Sequence, residues 1–87
     1  MSDKVFRLEI LTPQKTVFTG MVTSLVAPGT IGYLGVLANH APLMTTLVPG
    51  TVTFRDPAGA TQKLQSTGGG FLDVAKNRAT ILADSIA

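Results

Sequence analysis

His40 is the one histidine of the chain and the first residue to weigh for chemistry. It lies in Asn39-His40-Ala41-Pro42, where the proline marks a turn and holds the preceding backbone extended. An imidazole becomes a metal ligand or a general base only with further His, Cys or carboxylate groups around it. The nearest acids in sequence are Glu9 and Asp56, so an enzyme reading requires the fold to bring one of them beside His40 in a deep pocket. A corner histidine that bonds the backbone or a partner is the simpler expectation. Gly29, Gly32 and Gly35 stand three apart, which fits neither the dinucleotide fingerprint nor the phosphate loop, and they read as turn glycines. Gly68-Gly69-Gly70 lacks the Lys-Ser/Thr of a phosphate loop and precedes a strand. Glu9, Asp56, Asp73 and Asp84 show no local pairing, and Ser24, Ser66 and Ser85 have no G-x-S-x-G setting. With no cysteine there is no thiolate or disulfide chemistry. The residues therefore predict no catalytic set, no metal site and no cofactor.

What the chain offers in place of reactive groups is a long neutral stretch. From Thr16 to Phe54 there is no Asp, Glu, Lys or Arg, and all seven basic and five acidic residues lie outside it. Exposed surface is where such residues collect, so a stretch of this kind is either buried or pressed against a partner. A chain of 87 residues forms one domain with one modest core and cannot hide so many residues alone. Charged residues make up 14% of the chain against about 25% in a typical soluble domain, which points to contact surface more than to catalysis. The net charge of +2 comes from scattered Lys and Arg with no run that could neutralise adjacent phosphates, so nucleic acid is not expected as a ligand. Glycines, prolines and hydroxyls interrupt every apolar stretch, so no membrane-spanning helix is expected, and Met1-Ser2-Asp3-Lys4 leads into a strand without a secretory signal pattern.

The elements that must position these residues are strands. Phe6, Leu8 and Ile10 alternate with Arg7 and Glu9, the pattern of a half-buried strand. Thr16–Phe18 and Met21–Ala27 read as two runs separated by a Gly20 hinge, and Pro28-Gly29 as a turn. Tyr33–Leu37, Leu43–Val48 and Thr51–Arg55 follow, and Asp56-Pro57-Ala58-Gly59 predicts a hairpin joining Thr51–Arg55 to Thr61–Gln65. Phe71–Val74 and Ala79–Ala83 flank a turn at Ala75-Lys76-Asn77-Arg78. About nine short, evenly spaced strands and no helical periodicity predict one all-β domain over residues 1–87, a sandwich or flattened barrel of mostly antiparallel strands. Within it, Val36 and Leu34 suit core or contact equally, whereas Tyr33, between a glycine turn and a strand, leans toward contact.

At these residues the sequence resembles the epsilon subunit family of the rotary F-type ATP synthase, called delta in mitochondria. The resemblance rests on Gly32-Tyr33-Leu34-Gly35-Val36, on Asn39-His40-Ala41-Pro42-Leu43 and on Thr45-Thr46-Leu47-Val48-Pro49-Gly50-Thr51-Val52. Leu8–Pro13 with Val17–Gly20 before them, and Gly69–Val74 with Thr80–Asp84 after them, agree in order over nearly the whole chain. The resemblance implies a β-sandwich of about ten strands that sits on the gamma subunit and the ring of c subunits, a rotor part without an active site of its own. It places the chain peripherally on the cytoplasmic face of the bacterial inner membrane, or its organellar equivalent, without membrane insertion. By position, His40 matches a histidine that the family turns toward gamma, and Thr45 and Thr12 are expected on the same surface. Tyr33, with Gly32 and Leu34, matches a loop that approaches the c ring, where some members carry Glu. Asn39 stands where Gly often precedes the histidine, and Asn tolerates a left-handed backbone. Family members usually continue into a two-helix hairpin that can inhibit or bind ATP; the sequence here ends at Ala87, and those properties are not carried over to it.

The rival from another class is a lipoyl- or biotinyl-type carrier, also all-β, with its attachment lysine at a hairpin tip. Lys76 imitates that placement but lacks the acidic or methionine neighbours that such lysines usually have.

Overall fold

Side chains on an extended backbone point alternately to opposite faces, so a strand with one buried face needs apolar residues at every second position. The computed structural model describes residues 4–87; Met1, Ser2 and Asp3, with the N-terminal reading attached to them, lie outside the described residues. Nine strands follow one another: β1 (Phe6–Leu11), β2 (Thr16–Val22), β3 (Ser24–Gly29), β4 (Gly32–Leu37), β5 (Leu43–Leu47), β6 (Gly50–Arg55), β7 (Thr61–Ser66), β8 (Gly70–Ala75) and β9 (Arg78–Ala83). The fold is all-β, with nine strands among the described residues where the resemblance implied about ten.

The strands form one sheet in the order β2-β1-β9-β8-β5-β3-β6-β7, with β4 hydrogen-bonded to β3. Every pairing is antiparallel except β1 with β9. The sheet curls so that its two halves face each other. Along the strand order the passage between them is thin, since β5 meets β3 through the single pair Leu47 and Gly29, and the antiparallel bridge of Ser66 with Ile86 ties the halves a second time. The core does the joining: Phe6, Leu8 and Ile10 of β1, Leu72 and Val74 of β8 and Ala79, Ile81 and Ala83 of β9 pack with Leu25, Ala27, Val36, Val52 and Phe54 of the other half. The Phe18 ring of β2 meets the Phe54 ring of β6 at a centroid distance of 4.5 Å and a tilt of 44°. Fully burying side chains of this size contributes roughly 1.5–3 kcal/mol each.

Two sequence expectations about the strand breaks are corrected. Gly20 does not hinge the chain; β2 runs through it and the break falls at Thr23. Gly20 is opposite Leu8 on the inner face, and a Cβ there would lie 3.1 Å from the Phe18 ring, so the glycine makes room for that ring. Pro28-Gly29 is not a turn but the end of β3, and the chain reverses one step later at Thr30-Ile31 between the paired Gly29 and Gly32. The missing proline N–H falls where the second neighbour of β3 changes from β5 to β6, while the Pro28 carbonyl accepts the Val48 N–H at 2.9 Å.

The remaining turns follow the sequence reading. In the Asp56–Gly59 hairpin the Gly59 N–H donates to the Asp56 carbonyl at 3.0 Å, and Arg55 pairs with Thr61. Lys76 and Asn77 carry φ of 52° and 58°, the two left-handed residues of a tight hairpin turn. Asn77 also ties this turn to the rest of the sheet: its Oδ1 accepts the Asn39 N–H at 2.8 Å and its Nδ2 donates to the Val5 carbonyl at 2.9 Å. Replacing Asn77 by glycine keeps the backbone geometry permitted and removes only those two bonds. Asn77→Gly is therefore expected to lower stability by roughly 1 kcal/mol, read as a shift of the urea midpoint without change of slope.

Candidate functional site

The neutral stretch supplies both inside and outside, and the outside is where a partner can reach. Val22, Leu25, Ala27, Val36, Leu47, Val52 and Phe54 go into the core, while Met21, Val26, Ile31, Tyr33, Leu37, Met44 and Val48 stay exposed. Ile31, at the tip of the β3–β4 hairpin, is 102% exposed and Tyr33 beside it 60%. Of the residues whose role the sequence left open, Val36 is core at 1% exposure, and Leu34 is half-buried against the core. Tyr33 stands at the surface.

A surface groove runs beside this hairpin, lined by Gly32, Tyr33, Leu34, His40, Leu43 and Thr45 together with the Gly29–Ile31 tip. It contains no Asp, Glu, Lys or Arg. The groove exists because β4 leaves the main path of the sheet to pair with β3 alone, and the corner from Ala38 to Pro42 carries the chain back to β5. Asn39 makes that corner in the left-handed conformation, with φ of 63°. The His40 N–H donates to the Leu37 carbonyl at 3.2 Å. On the ring, Nδ1 lies 2.7 Å from the Ala41 carbonyl, which can only accept, so Nδ1 is the donor of that bond and Nε2 is left for an incoming partner. Neither Glu9 nor Asp56 lines this groove, and no group of three or more His, Cys, Asp or Glu comes together among the described residues. The arrangement suits recognition through shape, apolar contact and a few hydrogen bonds.

Tyr33 is held in place from below. Its phenol oxygen accepts the Thr51 N–H at 3.1 Å, reaching across β3 toward β6. That approach depends on Gly50, where a Cβ would lie 2.8 Å from both the Tyr33 hydroxyl and Pro28 Cβ. The glycine that opens β6 therefore seats the tyrosine.

Of the six interface residues expected from the sequence, the fold brings five to this groove: His40 and Thr45 with Gly32, Tyr33 and Leu34. Thr12 is elsewhere. It lines a second hollow on the outer face of the sheet with Leu11, Pro13, Thr46, Phe71 and Leu82. Phe71 pairs with Leu82, and Leu82 with Leu11, which makes an apolar row across three strands, with Phe71 55% and Leu82 51% exposed. The sequence reading passed over this row, although the signal was there. If Leu72 and Val74 face inward, Phe71 faces out, and the inward set Ala79, Ile81 and Ala83 turns Leu82 outward by the same parity.

Comparison with known proteins gives a consistent result. The sequence model of the family described as ATP synthase, Delta/Epsilon chain, beta-sandwich domain matches residues 5–87. A protein of Pelotomaculum thermopropionicum described as ATP synthase epsilon chain is 53% identical over 85 residues, which span 98% of this chain and 62% of that protein. One of Chlorobium limicola with the same description is 40% identical over 86 residues, covering 99% of this chain and 97% of its own length. The chain thus spans under two thirds of the first relative and nearly all of the second. In structure, a chain of the Euglena gracilis mitochondrial ATP synthase, solved as OSCP/F1/c-ring, superposes with a TM-score of 0.88 at 19% identity, over 100% of this chain and 54% of that one. A chain of the Tetrahymena thermophila mitochondrial ATP synthase central stalk and c-ring gives 0.78 at 16% identity, over 100% and 69%. At those identities the superpositions speak for the fold.

Tyr33→Phe removes the acceptor of the Thr51 N–H at a site open to water. The expected result is faster hydrogen exchange at the Thr51 amide, with global stability lowered by less than about 1 kcal/mol. Gly50→Val, which displaces the ring itself, is expected to cost about 1–3 kcal/mol in a urea melt.

Proposed function

The chain belongs to the ATP synthase delta/epsilon chain family through its β-sandwich domain, and from that premise we propose that it is a non-catalytic rotor part coupling the gamma subunit to the c ring in proton-driven ATP synthesis. The observation that carries the reading is the uncharged groove with its exposed apolar hairpin tip. Sixty per cent of Tyr33 and all of Ile31 face water on a domain whose core is already complete, which is surface in want of cover.

In this reading His40 and Thr45 face gamma, the imidazole offering Nε2 to that partner. Gly32, Tyr33 and Leu34 face the polar loops of the c ring. The Tyr33 phenol, already bonded to Thr51, presents its ring for packing where a Glu would offer charge. Thr12 joins the gamma surface only if that contact extends across β5 to the outer hollow, which Thr46 lines beside Thr45. Passing torque between two bodies calls for a stiff, sheet-based domain with apolar contact faces and needs no reactive group. Such a place is peripheral to the membrane, on the cytoplasmic side in a bacterium. Among the described residues no helix is long and apolar enough to cross it.

Two measurements test this. A titration of the gamma subunit of the same synthase with the His40→Ala/Thr45→Arg variant is expected to show binding weakened at least tenfold, about 1.4 kcal/mol or more; unchanged affinity would remove His40 and Thr45 from that interface. The carrier alternative draws on Lys76, which does stand exposed at a hairpin tip. Intact mass after native expression is expected to show no lipoyl or biotinyl addition, and a modified Lys76 would restore that alternative.

A further inference from the structure

The two ends of the sandwich differ in charge, and the difference points to a partner. Strand directions assign every loop to one end. At the end that carries the Ile31 tip, with the loops around residues 12–15, 48–49, 67–69 and 84–87, the charged residues are Lys15 and Asp84. At the other end Lys4, Arg7, Arg55, Lys76 and Arg78 gather, all exposed, at the same end as the Ala38–Pro42 corner that carries His40, where the Asn39 N–H donates to Asn77 Oδ1. The acid at that end among the described residues is Asp56, whose carboxylate accepts the Ala60 N–H at 3.0 Å inside its own hairpin. Glu9 and Asp73 lie further along their strands, and Asp73 lines a shallow hollow with Lys76 and Arg78.

This basic end is not arranged for the stability of the chain by itself. Arg7 and Arg78 are partners in register across the parallel β1–β9 pair, and like charges directly opposite lower stability. The sole ion pair among the described residues, Arg7 Nε to Glu9 Oε2, is at 3.9 Å, the limit of useful range. Apolar side chains accompany the cations: Met21 sits opposite Arg7, Leu37 closes β4 at the same end, and both are exposed. Apolar groups rimmed by charge are the makeup of a protein interface.

We propose that this end extends the docking surface beyond the His40 corner, for an acidic segment of a protein partner that carries apolar side chains of its own. The choice of a protein over a lipid surface rests on the rotor reading: with Gly32, Tyr33 and Leu34 toward the c ring, the opposite end points away from the bilayer. Charge complementarity of this kind acts mainly on the rate of association.

The test is stopped-flow association of the fluorescently labelled chain with an assembly of catalytic head and gamma from the same synthase, freed of its own copy of this subunit, at about 50 and 300 mM salt. The Lys76→Glu/Arg78→Glu variant is expected to associate about tenfold more slowly at low salt and to lose most of the salt dependence. Lys76→Gln/Arg78→Gln is expected to fall between, and a urea melt unchanged or improved shows that both variants fold. Equal rates and equal salt dependence for wild type and charge-reversed chain would overturn the inference while leaving the His40 face intact. If the wild-type chain does not bind the assembly at all, the rotor reading fails. Two simpler probes then decide the surface: poly-L-glutamate shifting the amide signals of Arg55, Lys76 and Arg78 supports it, and capture by phosphatidylglycerol vesicles without any response to polyglutamate overturns it.

Discussion

Neither half of this sheet can bury its own inner face. β1, β8 and β9 bring Phe6, Leu8, Ile10, Leu72, Val74, Ala79, Ile81 and Ala83 to one side, and only the opposing strands, with Leu25, Ala27, Val36, Val52 and Phe54, can keep water from them. Hydrogen bonds between the halves are confined to a few positions, among them Leu47 with Gly29, Val48 with Pro28, and the bridge of Ser66 with Ile86, so cohesion comes from side-chain packing more than from the ladder. The Phe18–Phe54 contact shows how closely the halves are fitted, since a Cβ at Gly20 would already crowd the Phe18 ring at 3.1 Å. A core that joins facing layers resists shear between them, which is the mechanical property a coupling element needs.

The same constraint shapes the surface. In a domain this small the inward positions are filled by about one residue in two along each strand, and the apolar residues left over must stand outside. In the neutral stretch they concentrate at the β3–β4 hairpin, where β4 departs from the path of the sheet and the return corner through Asn39 and His40 opens a groove. Outside that stretch they form the Leu11, Leu82 and Phe71 row. On the proposed rotor reading, neighbouring subunits would cover such surface. Its reactive side chains serve the backbone: His40 bonds Ala41, Tyr33 receives Thr51, and Asn77 binds Asn39 and Val5.

Charge is distributed by the same economy. Charged residues, excluded from the neutral stretch, fall before Thr16 and from Arg55 to Asp84, and the up-and-down course of the strands gathers most of the cations at one end. The molecule therefore has a neutral, apolar end and a basic one. Such polarity would suit the proposed role, in which two different neighbours must be told apart.

Period-two alternation let the sequence by itself determine the fold class, the inward triplet Phe6, Leu8 and Ile10, and the Asp56–Gly59 hairpin, because each follows from a few adjacent residues. Its motifs also identified the family, since order and spacing along the chain survive without coordinates. The breaks at Gly20 and Pro28 misled for a common reason. Glycine and proline are local signals for turns, but here Gly20 clears space for a ring from its own strand and Pro28 sits where its strand exchanges one neighbour for another. Grouping was likewise a matter of tertiary structure. That His40, Thr45 and Tyr33 share a groove while Thr12 lines the far side of the sheet, and that Arg7 meets Arg78 across so many intervening residues, depends on which strands pair and which way the sheet curls. Those are properties of contacts between distant segments, and no local pattern of residues encodes them.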